Sequence, residues 1–151
     1  MFSLRSEGSY GVGDFGDLKT LVDWAVHTHQ QAIQILPIND TTISNTWMDS
    51  YPYNSISIYA FHPMYIDLRQ LGKMKDKEAA AAFEKKRLEL NALPEVDYEG
   101  VNNAKREYIR LMFQQTGKKV LASTEFKQFF KENEHWLLPY AAFSHLRDQY
   151  G

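Results

Sequence analysis

The chain has 151 residues, a net charge of −2 and 44% hydrophobic residues, which is the composition of one globular unit and not of a disordered or fibrous chain. Seventeen basic residues against nineteen acidic ones leave no concentrated basic face for nucleic acid, and the lack of cysteine excludes disulfides, thiolate metal sites and a cysteine nucleophile. No apolar run approaches the roughly 20 residues that span a bilayer and no signal peptide opens the chain, so a cytoplasmic protein without a membrane partner is expected.

In chain order, Met1 to Tyr10 reads as the tail of an element, with Phe2, Ser3 and Leu4 as the end of a strand. A glycine-rich turn follows at Gly11-Val12-Gly13-Asp14-Phe15-Gly16. Asp17 is a candidate N-cap, and Leu18, Leu21, Val22, Ala25 and His29 recur at helical spacing over residues 18–29. Residues 32–36, Ala-Ile-Gln-Ile-Leu, have the length and character of a buried strand and are closed by Pro37. The stretch from Ile38 to Asn54 is long for a loop without a role, and it carries Trp47, Tyr51 and Tyr53. Residues 55–60 alternate and suggest a short strand or extended segment.

Beyond Gly72 the pattern is helical. Asp76 caps a helix expected to run to about Leu90, and Pro94 ends that region. Val101, Ala104, Tyr108, Leu111 and Met112 share one face of a helix over 100–116, with Gly117 as its stop. Ser123 or Thr124 starts another helix, bearing Phe126, Phe129 and Phe130. A last helix begins near Pro139. The fold class expected is mixed α/β, mostly α-helical.

Three constellations bear on chemistry. Gly11-x-Gly13-x-x-Gly16 matches the dinucleotide fingerprint in its letters, but Gly8-Ser9-Tyr10 is not the apolar strand that must precede it, so a tight turn is the better reading. His27 and His29 lie two apart on a helix and cannot grip one ion together, while His62, His135 and His145 have no partner at ligand spacing. No metal or organic cofactor is implied. Residues 37–67 are different, because aromatic rings there interleave with Asp, Asn and Ser. A pyranose ring offers an apolar face to an aromatic side chain and hydroxyls to polar ones, so this region suits a sugar. Loop-anchoring aromatics among turn-forming Asp and Asn account for the same residues equally well.

Several separate stretches carry a family resemblance in order. They are Ser3-Leu4-Arg5-Ser6-Glu7, the turn Gly11 to Asp17, Leu36-Pro37-Ile38-Asn39-Asp40-Thr41, Asp49-Ser50-Tyr51-Pro52-Tyr53, Val96-Asp97-Tyr98, Lys105, and His135-Trp136-Leu137-Leu138-Pro139-Tyr140-Ala141-Ala142-Phe143. Together they resemble the 4-alpha-glucanotransferases (amylomaltases, disproportionating enzymes) of the α-amylase clan over nearly the whole chain, weakest around 73–93. The resemblance implies a (β/α)8 barrel with helical insertions. Residues 1–71 would be the early barrel with its active-site loop, and 72–151 a helical insertion subdomain. It also implies a retaining transfer of α-1,4-glucan segments between malto-oligosaccharides, or to glucose or a polysaccharide.

A barrel needs about 250 residues, and the family's catalytic Asp and Glu motifs do not occur in this chain. The expectation is therefore a fragment, inactive alone and prone to self-association, with no catalytic residue among Asp14, Asp40, Asp49 or Asp67. As substrate-binding residues the resemblance implies Tyr53, stacking on the sugar next to the cleaved bond, then Asp49 and Ser50 as hydroxyl partners or loop braces, then Trp47 and Asn39. A non-catalytic glucan-binding module is the alternative.

Overall fold

The computed structural model describes residues 1–150. Among them are four α-helices: α1 (Phe15–His27), α2 (Lys77–Asn91), α3 (Tyr98–Ala122) and α4 (Thr124–Tyr150). Short 3-10 turns lie at Trp47–Ser50, Pro63–Tyr65 and Leu68–Leu71. The helical part of the expected fold class is present. The strand part is not: no β-strand forms among the described residues, and residues 55–60 are bends and irregular backbone.

Residues 32–36 have no regular secondary structure and are exposed, and among the described residues no neighbour pairs with their backbone. A buried parallel strand needs a partner on each side and helices over both faces. Here the nearest pairing begins beyond Pro37, where Asn39 bridges Phe61 antiparallel. Around that bridge the Asp40 N–H donates to Ala60 O at 2.9 Å, and the His62 N–H donates to Ile38 O at 2.9 Å.

Helix α1 is capped by Asp14, not Asp17. The Asp14 carboxylate accepts the N–H groups of Gly16 and Asp17, and the Asp17 side chain reaches back to the Asp14 N–H at 3.0 Å. This is a capping box, and Asp17 holds its inner position. The same geometry explains the glycine turn. A Cβ on Gly13 would stand 1.9 Å from Leu4 O, and Gly11 has a φ of 81° with Val101 and Leu90 packed against it. The glycines allow backbone to approach backbone, and the helix N-terminus that a pyrophosphate would need already holds a carboxylate.

Asp76 caps α2 as expected. Helix α3 runs past Gly117, which stays helical because it lies under the Phe113 ring, where a Cβ would come within 2.9 Å. Two expected helices at the C-terminus are one. Pro139 sits inside α4 and removes a single intrahelical bond from a helix of 27 residues, which continues through it.

The core joins both halves of the chain: Tyr10 and Val12 from the glycine turn, Met64, Tyr65 and Leu68 from the middle, Leu90 from α2, and Tyr98 and Val101 from α3. Lys105 is buried beside it at 1% exposure, its Nζ donating to the carbonyls of Met64 at 2.7 Å and Ile66 at 2.9 Å. Burial lowers its pKa to about 8, against the opposing pull of Asp14, Asp17 and Asp67.

Candidate functional site

The loop between Asp40 and Asn54 is built from its own polar side chains. Asp49 is buried, and its carboxylate accepts the N–H groups of Ile43 at 3.1 Å, Ser44 at 3.0 Å and Asn45 at 2.7 Å, together with the Ser44 hydroxyl. Asn45 turns the chain in the left-handed region, with φ 59°. Thr41 donates its hydroxyl to the Asp49 carbonyl, and Thr46 caps the turn Trp47–Ser50. One carboxylate thus satisfies three successive backbone donors of a partly exposed loop.

Beneath the loop, α3 and α4 hold it. The Trp47 N–H donates to Glu99 Oε1 at 2.8 Å, Arg106 donates to the Asn45 side-chain carbonyl, and Arg147 donates to Thr42 O at 2.7 Å. Tyr140 donates to Asp40 Oδ2 at 2.5 Å, while Thr42 bonds the other oxygen through its N–H and hydroxyl. Burial and the neighbouring Asp40 raise the Tyr140 pKa above the ordinary tyrosine value, so the phenol stays a donor.

On the other side of this layer His62 is buried. Its Nδ1 accepts the Met64 N–H at 3.1 Å, which leaves Nε2–H to donate to the Tyr98 hydroxyl at 2.9 Å. Burial holds its pKa below the usual imidazole value, although Asp40 and Asp49 act in the opposite direction.

The rings on this frame are open. Trp47 is 66% exposed and Tyr53 62%, and the Tyr51 and Tyr53 rings stand 5.6 Å apart at a tilt of 55°. Ser50 is half-buried and lines an apolar cavity of about 320 Å³ between Phe2, Leu36, Trp47 and Tyr65. Asn39 lies at the base of the loop, in the bridge to Phe61.

Of the five residues the sequence singled out, four therefore share one loop and the fifth stands at its foot. The two buried carboxylates of the loop, Asp40 and Asp49, are engaged by the protein's own donors. Sequence reasoning missed the clamps Glu99, Arg106, Tyr140 and Arg147. They lie 52 to 105 positions from their loop partners, and no periodicity or spacing signals such pairs.

Comparison with known proteins bears on the family of the chain. A family model described as 4-alpha-glucanotransferase matches residues 1–151. The chain belongs to the 4-alpha-glucanotransferase family. It is 47% identical over 153 residues to the 4-alpha-glucanotransferase DPE2 of Oryza sativa subsp. japonica, covering 98% of this chain and 16% of the rice protein. It is 36% identical over 148 residues to the 4-alpha-glucanotransferase of Chlamydia caviae, covering 97% of this chain and 27% of that protein. The 4-alpha-glucanotransferase of Chlamydia trachomatis serovar D is 34% identical over 149 residues, with 98% and 27% covered. The chain thus spans between a sixth and about a quarter of the length of these relatives.

Proposed function

We propose that this chain is part of a 4-alpha-glucanotransferase that moves α-1,4-glucan segments between malto-oligosaccharides, or to glucose or a polysaccharide, by a retaining double displacement. The observation that carries the reading is the family match along the whole chain. The exposed rings on a loop braced from below support it locally. In such a reaction one carboxylate attacks the anomeric carbon while a second carboxyl, about 5–5.5 Å away, protonates the leaving oxygen. The covalent glycosyl-enzyme is then released to a sugar hydroxyl. This chain contributes neither carboxylate in our reading, because Asp40 and Asp49 are held in structural hydrogen bonds.

Its contribution is binding. Tyr53 stacks on the sugar next to the cleaved bond, Asp49 keeps the loop in shape, Ser50 and Asn39 offer hydrogen bonds, and Trp47 extends the aromatic surface. A covered, aromatic cleft favours transfer over hydrolysis by limiting water at the intermediate. Residues 1–71 form the early part of a (β/α)8 barrel in this reading, and 72–151 a helical insertion beside the cleft. The apolar, unpaired stretch 32–36 supports that division, since it has the character of a barrel strand awaiting neighbours.

In the complete protein, Tyr53→Ala is expected to cut transfer from maltotriose at least tenfold while leaving the melting temperature nearly unchanged. Activity within about twofold of wild type would remove Tyr53 from the site. A second reading, a glucan-binding module without chemistry, is favoured by the engagement of both loop carboxylates, Asp40 and Asp49. It requires the isolated chain to melt cooperatively and to bind malto-oligosaccharides by itself.

A further inference from the structure

The two arginines that reach the aromatic loop from below share one acceptor. Arg106, on α3, donates through Nη1 to the Asn45 side-chain carbonyl and through Nη2 to Asp148 Oδ2 at 2.7 Å. Arg147, on α4, donates through Nη1 to Thr42 O at 2.7 Å, and its Nε and Nη2 donate to Asp148 Oδ1 at 3.0 and 2.9 Å. Asp148 thus gives one oxygen to each guanidinium, and each guanidinium turns its Nη1 to the loop. Thr42 precedes, and Asn45 closes, the run of backbone N–H groups that the Asp49 carboxylate gathers.

A free arginine side chain samples many rotamers, whereas a planar guanidinium gripped by a carboxylate keeps few. Asp148 also separates two like charges that would repel each other without it. Its own hydrogen bonds go to the arginines, and among the described residues none goes to the loop. Any influence on the loop therefore passes through Arg106 and Arg147.

We propose that Asp148 is a positioning residue, which keeps the aromatic loop in its sugar-binding shape by holding Arg106 and Arg147 against Asn45 and Thr42. This rests on the reading that Tyr53 and its neighbours bind glucan. Without the carboxylate the loop keeps that shape only part of the time. Apparent affinity then falls by the fraction in the competent shape, while bound sugar restores the shape, so KM rises and kcat at saturation does not. A loss of folded protein has the opposite signature, a lower kcat at unchanged KM. The Asp148 side chain is 40% exposed, so Asp148→Ala leaves the core intact.

The test is steady-state transfer from maltotriose by the complete protein, with hydrogen exchange of the same variants. Asp148→Ala is expected to raise KM about threefold or more with kcat within about twofold of wild type. The amides of Ile43, Ser44, Asn45 and Trp47 should exchange about threefold faster or more, while those of Val101 to Met112 in α3 keep their rates. Glu107→Ala removes an exposed carboxylate of α3 that pairs with Arg110, and it should change neither quantity. An unchanged KM, a fall in kcat alone, loop amides at wild-type rates, or an equal rise in KM from Glu107→Ala each overturns the assignment. Tyr53→Ala, measured alongside, separates the two readings. If it keeps wild-type activity, the sugar-binding reading of the loop fails and the assignment fails with it. If it loses transfer while Asp148→Ala behaves as wild type, only the assignment of Asp148 fails.

Discussion

Residues 31–37 and residues 40–53 adjoin in the chain and end in opposite states. The first stretch is mostly apolar and exposed, with no partner for its backbone; the second is rich in Asp, Asn, Ser and Thr, and its own Asp49 carboxylate accepts three of its backbone N–H groups. A strand depends on neighbours that pair with it from outside. A loop closed by a carboxylate carries its partners with it. Local polar chemistry can therefore specify a shape where hydrophobic pattern alone cannot.

Asp49→Ala tests the loop half of this contrast most severely. It leaves three part-buried amides without an acceptor, and about 3 kcal/mol of stability is expected to go, roughly 1 for each. Urea unfolding measures it, and a loss under about 1 kcal/mol would mean that water or a neighbouring group replaces the carboxylate. Tyr140→Phe removes one bond to a buried carboxylate and should cost about 2 kcal/mol. An unchanged urea midpoint would show that the clamp from α4 adds nothing to the loop.

The His62 effect is smaller and depends on pH. Its folded pKa lies below the ordinary value of 6.5, so the unfolded chain binds the extra proton first. Stability then falls as pH drops below about 6.5 and continues to fall until the folded state also protonates. Asp14 acts against this nearer pH 4, because its carboxyl is raised by burial and favours the folded state as it protonates. A His62→Gln variant should lose the decline between pH 7 and 5.5, and parallel curves for the two proteins would contradict the assignment. At the small end, Ile35→Thr in the isolated chain should change stability by less than about 0.5 kcal/mol, as for a surface site. A larger change would mean that the open stretch is packed after all.

Much of the helical plan was legible from single residues with local roles. Asp76 marks the start of α2, and the spacing of Val101, Ala104 and Tyr108 marks a face of α3 that meets the core, Val101 buried and the other two partly so. Gly117 and Pro139 misled for one reason. A glycine under an aromatic ring and a proline within a long helix obey packing, while their usual readings as a stop and a start are local propensities. The strand over 32–36 failed because pairing is not local. In the loop, Tyr53 and Trp47 stood out by type, and Asp49 announced a brace or a ligand without saying which. The clamps Tyr140 and Arg147 had no local signal, since their partners Asp40 and Thr42 are 100 and 105 positions away.

Lys105 has a practical consequence. The other lysines of the chain are exposed, whereas this amine is sealed beneath two carbonyls. A water-soluble acylating reagent will mark the others at once and reach Lys105 only when the packing around Met64 and Ile66 comes apart. The speed at which that one position gains mass is therefore a clock for opening of the core.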